Sequence, residues 1–214
     1  MTAMRTIHIL CVPALLLPLA ACASFLGGGK PDNLFRFGVS EPQAVSGSSA
    51  PTARTQVTLA RIGFSPEIDG DRILTTRGDS ILYIKDARWV APAPDLFAQA
   101  VTRQFGQRAP AVRLTPPGEH RGSGILLRLD VDRFEARYDQ ASAKDAPPVI
   151  QLSGTAELVD LQSRQIIASR RFALEEPAAA NGKVAIVSAF DAVVSRCIAD
   201  IVDWTAGRPE IQAQ

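Results

Sequence analysis

The sequence predicts an α+β fold, a mainly antiparallel sheet with two amphipathic helices packed on one face, and three observations carry that expectation. Gly124 to Tyr138, Val149 to Asp160 and Arg164 to Leu174 are long strand candidates in succession, as in an antiparallel meander with one buried and one wet face. Pro94 to Phe105 and Lys183 to Trp204 carry apolar stripes at three- and four-residue spacing, the period of a helix with one buried side. Between residues 56 and 84, short β-branched runs are divided by Pro, Gly and Asp turns, which adds strands rather than helices.

In chain order, Arg5, the apolar stretch Ile9 to Pro18 and Leu19-Ala20-Ala21-Cys22 read as a bacterial lipoprotein signal over residues 1–21. The small side chains of Ala20 and Ala21 admit a signal peptidase, and translation from Met4 instead of Met1 leaves the reading unchanged. Cleavage makes Cys22 the first residue. Its thiolate accepts a diacylglyceryl group and its freed amine an acyl chain such as palmitate, and two or more chains anchor stably. A transmembrane anchor is the rival reading, but Ile9 to Ala21 offers 13 residues where roughly 20 are needed. Residues 22–33, with Gly27-Gly28-Gly29, form a flexible lipidated leash. Its Gly-Gly-Gly-Lys lacks the spacing and the Ser or Thr of a phosphate loop.

A single domain is expected over residues 34–206, followed by a loose tail at 207–214. It opens with a short strand, Leu34 to Val39, and a loose segment at 41–55. Gln56 to Gly63 is the next strand. Pro66 and the Asp69-Gly70-Asp71 turn interrupt the chain before extended pieces at Arg72 to Thr75 and Ser80 to Ile84. The first helix has proline in its first turn, Asp95 near its positive end and Gly106 as its stop, with Phe97, Val101 and Phe105 on one face. In the first long strand Ile125, Leu127, Leu129 and Val131 share one face. Phe134, Ala136 and Tyr138 then take the opposite parity, which places a bulge or bend near Asp132-Arg133. Ala141 to Pro148 is an exposed loop, and Arg170-Arg171, charged on both faces, marks an edge or an interface. Asn181 is the expected cap of the second helix, whose stripe is Val187, Phe190, Val194, Cys197, Ile198 and Ile201.

Composition excludes several functions. Loss of residues 1–21 removes Arg5 and leaves 22 basic against 22 acidic side chains, without the basic footprint of a nucleic-acid binder. With Cys22 lipidated and Cys11 in the signal, Cys197 is the only free thiol and no disulfide forms. His120, in a turn-rich loop, is the one histidine left. One histidine and one isolated cysteine do not build a zinc site, and no cofactor motif is present. Asp130 and Asp132 share a strand face and are the candidates for a hydrolase, but Arg128 and Arg133 nearby favour an ion-paired wet face. Gly122-Ser123-Gly124 is too short for a nucleophile elbow. No catalytic or metal residue is therefore expected.

The segment Ile81 to Pro94 has the most unusual composition, and Tyr83, Arg88 and Trp89 within it are the candidate partner interface. Tyr83 and Trp89 are amphipathic aromatics beside a proline-rich turn, suited either to a contact surface or to joining the sheet to the first helix. Here the chain resembles the ABC-type transport auxiliary lipoprotein family, the group containing the paraquat-inducible lipoprotein C. The likeness rests on Cys22, Ile62 to Pro66, Arg72-Ile73, Tyr83, Arg88-Trp89 and Pro92 to Phe105, and extends loosely over residues 34–204. Phe35 and Phe37 stand where a tyrosine-containing strand is common in the family.

The resemblance implies a noncatalytic outer-membrane lipoprotein facing the periplasm. Its partners would be an MCE-domain protein and the permease and ATPase of an ABC lipid transporter, with the membrane held through the lipid anchor. Ala23, where aspartate commonly retains lipoproteins at the inner membrane of enteric bacteria, agrees with outer-membrane sorting. A tethered periplasmic lipid-binding carrier is the alternative, and a homo-oligomer is a further candidate assembly.

Overall fold

The computed structural model describes residues 32–39, 55–116, 124–140, 143 and 145–212. In chain order the elements are β1 (Asn33–Phe35), β2 (Thr55–Leu59), β3 (Gly63–Phe64), β4 (Arg72–Arg77), β5 (Ser80–Trp89), α1 (Ala93–Arg108), β6 (Val112–Thr115), β7 (Ile125–Tyr138), β8 (Val149–Asp160), β9 (Ile166–Pro177), α2 (Lys183–Ala206) and α3 (Pro209–Gln212). Cys22 and most of the leash, His120, Ser123 and part of the loop after Tyr138 lie outside the described residues.

Among the described residues, the long strand β7 organises one nine-stranded sheet. Along one edge it pairs antiparallel with β8, which pairs antiparallel with β9. Along its other edge β2, β3 and β4 pair parallel to successive stretches of β7, at Ile125–Leu127, Asp130–Val131 and Ala136–Tyr138. β6 continues the sheet parallel to β2, β5 pairs antiparallel with β4, and β1 lies parallel to β5. The sheet is therefore mixed, and the expectation of a mainly antiparallel one is corrected. Alternation reports a strand with one buried face whatever its neighbour's direction. Parallel neighbours need a crossover connection, usually a helix, and α1 lies between the strands before it and β6 and β7 after it.

The meander itself is present. Ile125, Leu127, Leu129 and Val131 are buried while Arg128, Asp130 and Asp132 are exposed. Val131 pairs with Gly154 and Arg133 with Ser153, so Asp132 is the extra residue of a bulge at the expected phase change. The bulge lets Phe134 and Ala136 stay on the buried side despite their opposite parity. At Gly154 a Cβ would lie 2.1 Å from the Asp130 carbonyl oxygen and 2.6 Å from the Phe172 ring, so only glycine fits against the bulged strand.

Several boundaries differ from expectation. The first strand ends at Phe35, the run Gln56 to Gly63 divides into β2 and β3, and the last long strand occupies Ile166–Pro177. Val112–Thr115, too short to show a period, is a strand. Gly106 does not stop α1, which continues to Arg108, because an exposed helical glycine costs only about 1 kcal/mol and Arg108 pairs with Asp203 of α2 at 2.5 Å. Asn181 is not the cap of α2: Gly182 holds that position, and the Asn181 Oδ1 accepts from the Tyr138 hydroxyl at 2.7 Å. The tail is ordered through Gln212, where Ile211 of α3 is buried.

The core is built on rings. Phe190 of α2 meets Phe134 of β7 at 4.8 Å, and Phe97 of α1 meets Phe64 of β3 at 5.8 Å, which in turn meets Phe134 at 6.1 Å. The two helices also touch directly, Gln104 Nε2 donating to the Ser195 carbonyl at 3.1 Å.

Candidate functional site

Residues 32–39 bind the body at more points than a strand of three residues would suggest. β1 sets Asn33, Leu34 and Phe35 beside Ala87, Arg88 and Trp89, and the Asn33 side chain donates to the Asp86 carbonyl at 3.0 Å. Arg88 then closes a clamp: its Nε reaches Asp32 at 2.5 Å and its Nη1 reaches Asp71 at 3.0 Å. The hydrogen bond to Asp32, followed by the charge of Asp71, raises the guanidinium pKa above its usual value. The backbone joins in, the Trp89 amide donating to the Asp71 carbonyl and the Val90 amide to the Phe35 carbonyl, each at 2.7 Å. Farther along, the Gly38 and Val39 amides both donate to Asp191 of α2, and Arg103 of α1 donates to the Gly38 carbonyl. Gly38 has φ +70°, and a Cβ there would lie 2.4 Å from that of Ala100, so the chain passes between the helices only as glycine.

The three residues named as a partner interface fall in different places. Trp89 is 2% exposed, edge-on to Phe37 at 4.9 Å and to Phe190 at 5.3 Å and stacked on Phe134 at 6.0 Å. That burial corrects its place in the interface: its ring joins the N-terminal segment, the sheet and α2. Tyr83 is half-buried, its hydroxyl donating to the Glu67 carbonyl at 3.2 Å and its ring covered by the Arg72 guanidinium at 3.7 Å. Arg88 is engaged in the clamp yet 42% exposed. Phe37 is the partner that sequence reading missed. It lies in the expected short strand Leu34 to Val39, whose alternation marks a buried side chain without saying which ring it meets.

A groove runs along the flank of α1. Two adjoining open cavities of about 600 and 820 Å³ share Leu59 and Ala98. The first is mainly apolar, with Leu114 and Pro116 among its walls and Arg103 at its rim. The second carries Arg61, Asp69, Asp95 and Asp130. Under α2, Phe190 packs edge-on against Trp89 and Phe134 of the sheet.

The acidic pair is dispersed into ion pairs. Asp130, before the bulge, faces Arg128 at 3.7 Å, while Asp132, in the bulge, faces Arg171 of β9 at 3.4 Å and Arg133 instead faces Glu135 at 3.6 Å, so the face is ion-paired but one of the partners differs from expectation. Arg171 and Arg170 are both exposed on β9, which pairs with β8 alone among the described strands. No group of three or more metal-ligating side chains occurs among the described residues. Cys197 is fully buried, and burial pushes its thiol up to about 12. No helix among the described residues is long and apolar enough to cross a membrane.

The family model described as ABC-type transport auxiliary lipoprotein component matches residues 37–202. Among solved structures, a Xanthomonas campestris protein assigned to the family model DUF330 superposes with a TM-score of 0.66 at 21% identity, covering 81% of this chain and 95% of that one. A second, described as an uncharacterized protein, gives 0.63 at 13% identity over 82% and 99%. A hypothetical protein from Chlamydia trachomatis gives 0.50 at 10% identity over 76% and 100%. At these identities the likeness concerns the fold. A search of curated proteins finds no match.

Proposed function

This chain belongs to the ABC-type transport auxiliary lipoprotein components, and from that premise we propose that it is a noncatalytic outer-membrane lipoprotein, anchored through Cys22, that serves the periplasmic end of an MCE-type lipid transporter. The family match over residues 37–202 carries the reading. The clamp supports it. A protein held to a membrane by its N-terminus transmits load through the first residues of its fold, and here Asp32, Phe37 and Gly38 tie that entry to β5, α1 and α2. A docking role needs no catalytic group, and the ion-paired Asp130 and Asp132 suit a solvated face.

Affinity capture of the full chain from detergent-solubilised envelope, beside a Cys22→Ala control, tests this. Retention of an MCE-domain protein by the lipidated chain is the expected result. Efficient capture of the bait without any transporter component contradicts it.

One observation favours the carrier reading as a second. The mainly apolar cavity of about 600 Å³ beside α1 has the size of small-ligand sites. That reading expects copurifying lipid that Ala98→Trp, filling the groove, displaces. Lipid retained unchanged by that variant removes the groove as its seat.

A further inference from the structure

The most exposed large aliphatic side chains among the described residues are Val184 (75%), Leu82 (64%), Leu34 (62%) and Ile81 (59%). Contacts on the page bring all four to one end of the molecule. Ile81 and Leu82 follow the β4–β5 hairpin, opposite Thr76 and Thr75 and so on the two faces of the strand. Beside that hairpin Arg77 lies opposite Tyr138, whose hydroxyl donates to Asn181, just before α2. Lys183 of the first turn reaches the other way: its Nζ donates to the Asp86 carbonyl at 3.1 Å, where the Asn33 side chain also donates at 3.0 Å. The start of α2, with Val184 in its first turn, therefore stretches from the hairpin to the point where the N-terminal segment, with Leu34, enters the fold.

Exposed aliphatic side chains gathered in this way mark a contact surface, and the chain itself names what the surface meets. Nine residues separate Cys22 from Asp32, so a lipidated Cys22 holds Asp32 within about 35 Å of the bilayer even when that stretch is fully extended. So short a tether keeps the patch at a high effective concentration beside the membrane, where a surface too weak to bind from solution is engaged. Charge adds no preference, because Lys85 and Lys183 are matched locally by Asp79 and Asp86.

We propose that this end of the body lies on the bilayer that carries the anchor, with Leu34, Ile81, Leu82 and Val184 seated at the boundary between headgroups and acyl chains. The recognised chemistry is a phospholipid surface, zwitterionic lipid sufficing. The opposite end, where Ile166 pairs with Val159, then faces away from the membrane. The proposal rests on the lipid anchor at Cys22 and not on the transport reading.

Tryptophan placed at the patch tests this. Leu82→Trp, Val184→Trp and Ile166→Trp in the full chain are reconstituted into phosphatidylcholine vesicles with brominated acyl chains, and quenching is read against the unsubstituted chain, which has Trp89 and Trp204. Flotation with the vesicles and the mass of the Cys22 peptide report the anchor separately. A chain without its lipid is joined at Cys22 to a maleimide phospholipid and measured in the same way, so failure of the anchor reading is distinguished from failure of the patch. Added quenching is expected at Leu82→Trp and Val184→Trp and none at Ile166→Trp. Ile81→Asp with Leu82→Asp should abolish the quenching at Val184→Trp while the chain stays on the vesicles. Continued protection of the buried Cys197 thiol shows that each variant is folded. Equal quenching at all three positions, none at Leu82→Trp and Val184→Trp, or quenching at Val184→Trp that survives the double aspartate overturns the proposal and leaves this end to a protein partner.

Discussion

Arg88 and Trp89 are neighbours with separate tasks: the charged side chain stays at the surface to hold Asp32 and Asp71, and the indole turns inward onto Phe37, Phe134 and Phe190. The composition of Ile81 to Pro94 set this segment apart, and the family resemblance singled out the Arg-Trp pair within it. Which face each residue took was not legible, because Trp89 is buried partly by Phe37, a contact between segments about fifty residues apart in the chain. Trp89→Ala should cost about 3–5 kcal/mol of stability in denaturant unfolding, the range for an aromatic removed from a packed core. Arg88→Ala removes exposed ion pairs instead, which are worth little singly. It should leave the melting temperature within a few degrees of wild type while speeding protease cleavage within residues 32–39. Cys197 gives a pH prediction. The folded protein keeps this thiol protonated to about 12, whereas an unfolded thiol titrates near 8.5. Unfolding therefore releases a proton between those values. The contribution to stability is complete below about pH 8.5 and declines as pH rises toward 12. Comparison with Cys197→Ala in alkaline denaturant titrations should show a steeper decline in wild type.

Among the elements, β7 shows best what sequence pattern carries. Its alternation and its change of parity near Asp132-Arg133 located both a long half-buried strand and its bulge, since each apolar side chain must reach the same core. Pattern said nothing of neighbours. The short strands β2, β3 and β4 pair parallel with β7 because α1 provides a crossover, and β6 has too few residues to show a period. Helix ends were equally hard to read, for Gly106 and Asn181 have the right chemistry for a stop and a cap but Arg108–Asp203 and Tyr138–Asn181 contacts override it. The bulge supplies a sharp prediction. Gly154→Ala should destabilise by about 1–3 kcal/mol, the range for overpacking, because its methyl group meets the Asp130 carbonyl and the Phe172 ring. Unfolding midpoints check this, and an unchanged midpoint would mean that β8 moves freely away from the bulge.

For the whole molecule, the described body is one mixed sheet with an aromatic core and a clamped N-terminal entry. Its clamped entry suits a tethered docking protein, and a groove beside α1 runs along its flank. The lipobox and the Ile81 to Pro94 segment pointed to this class from sequence because both are local strings, whereas the clamp joins positions distant in the chain and appears only on folding. The central claim is that the protein is a working part of a lipid transporter. Reciprocal capture tests it most directly, with an MCE-domain protein of the same envelope as bait and this chain, with Cys22 intact, as the species measured. The account predicts that this chain is retained together with the permease and ATPase. Recovery of those two without it, from envelope in which it is abundant, would contradict the claim.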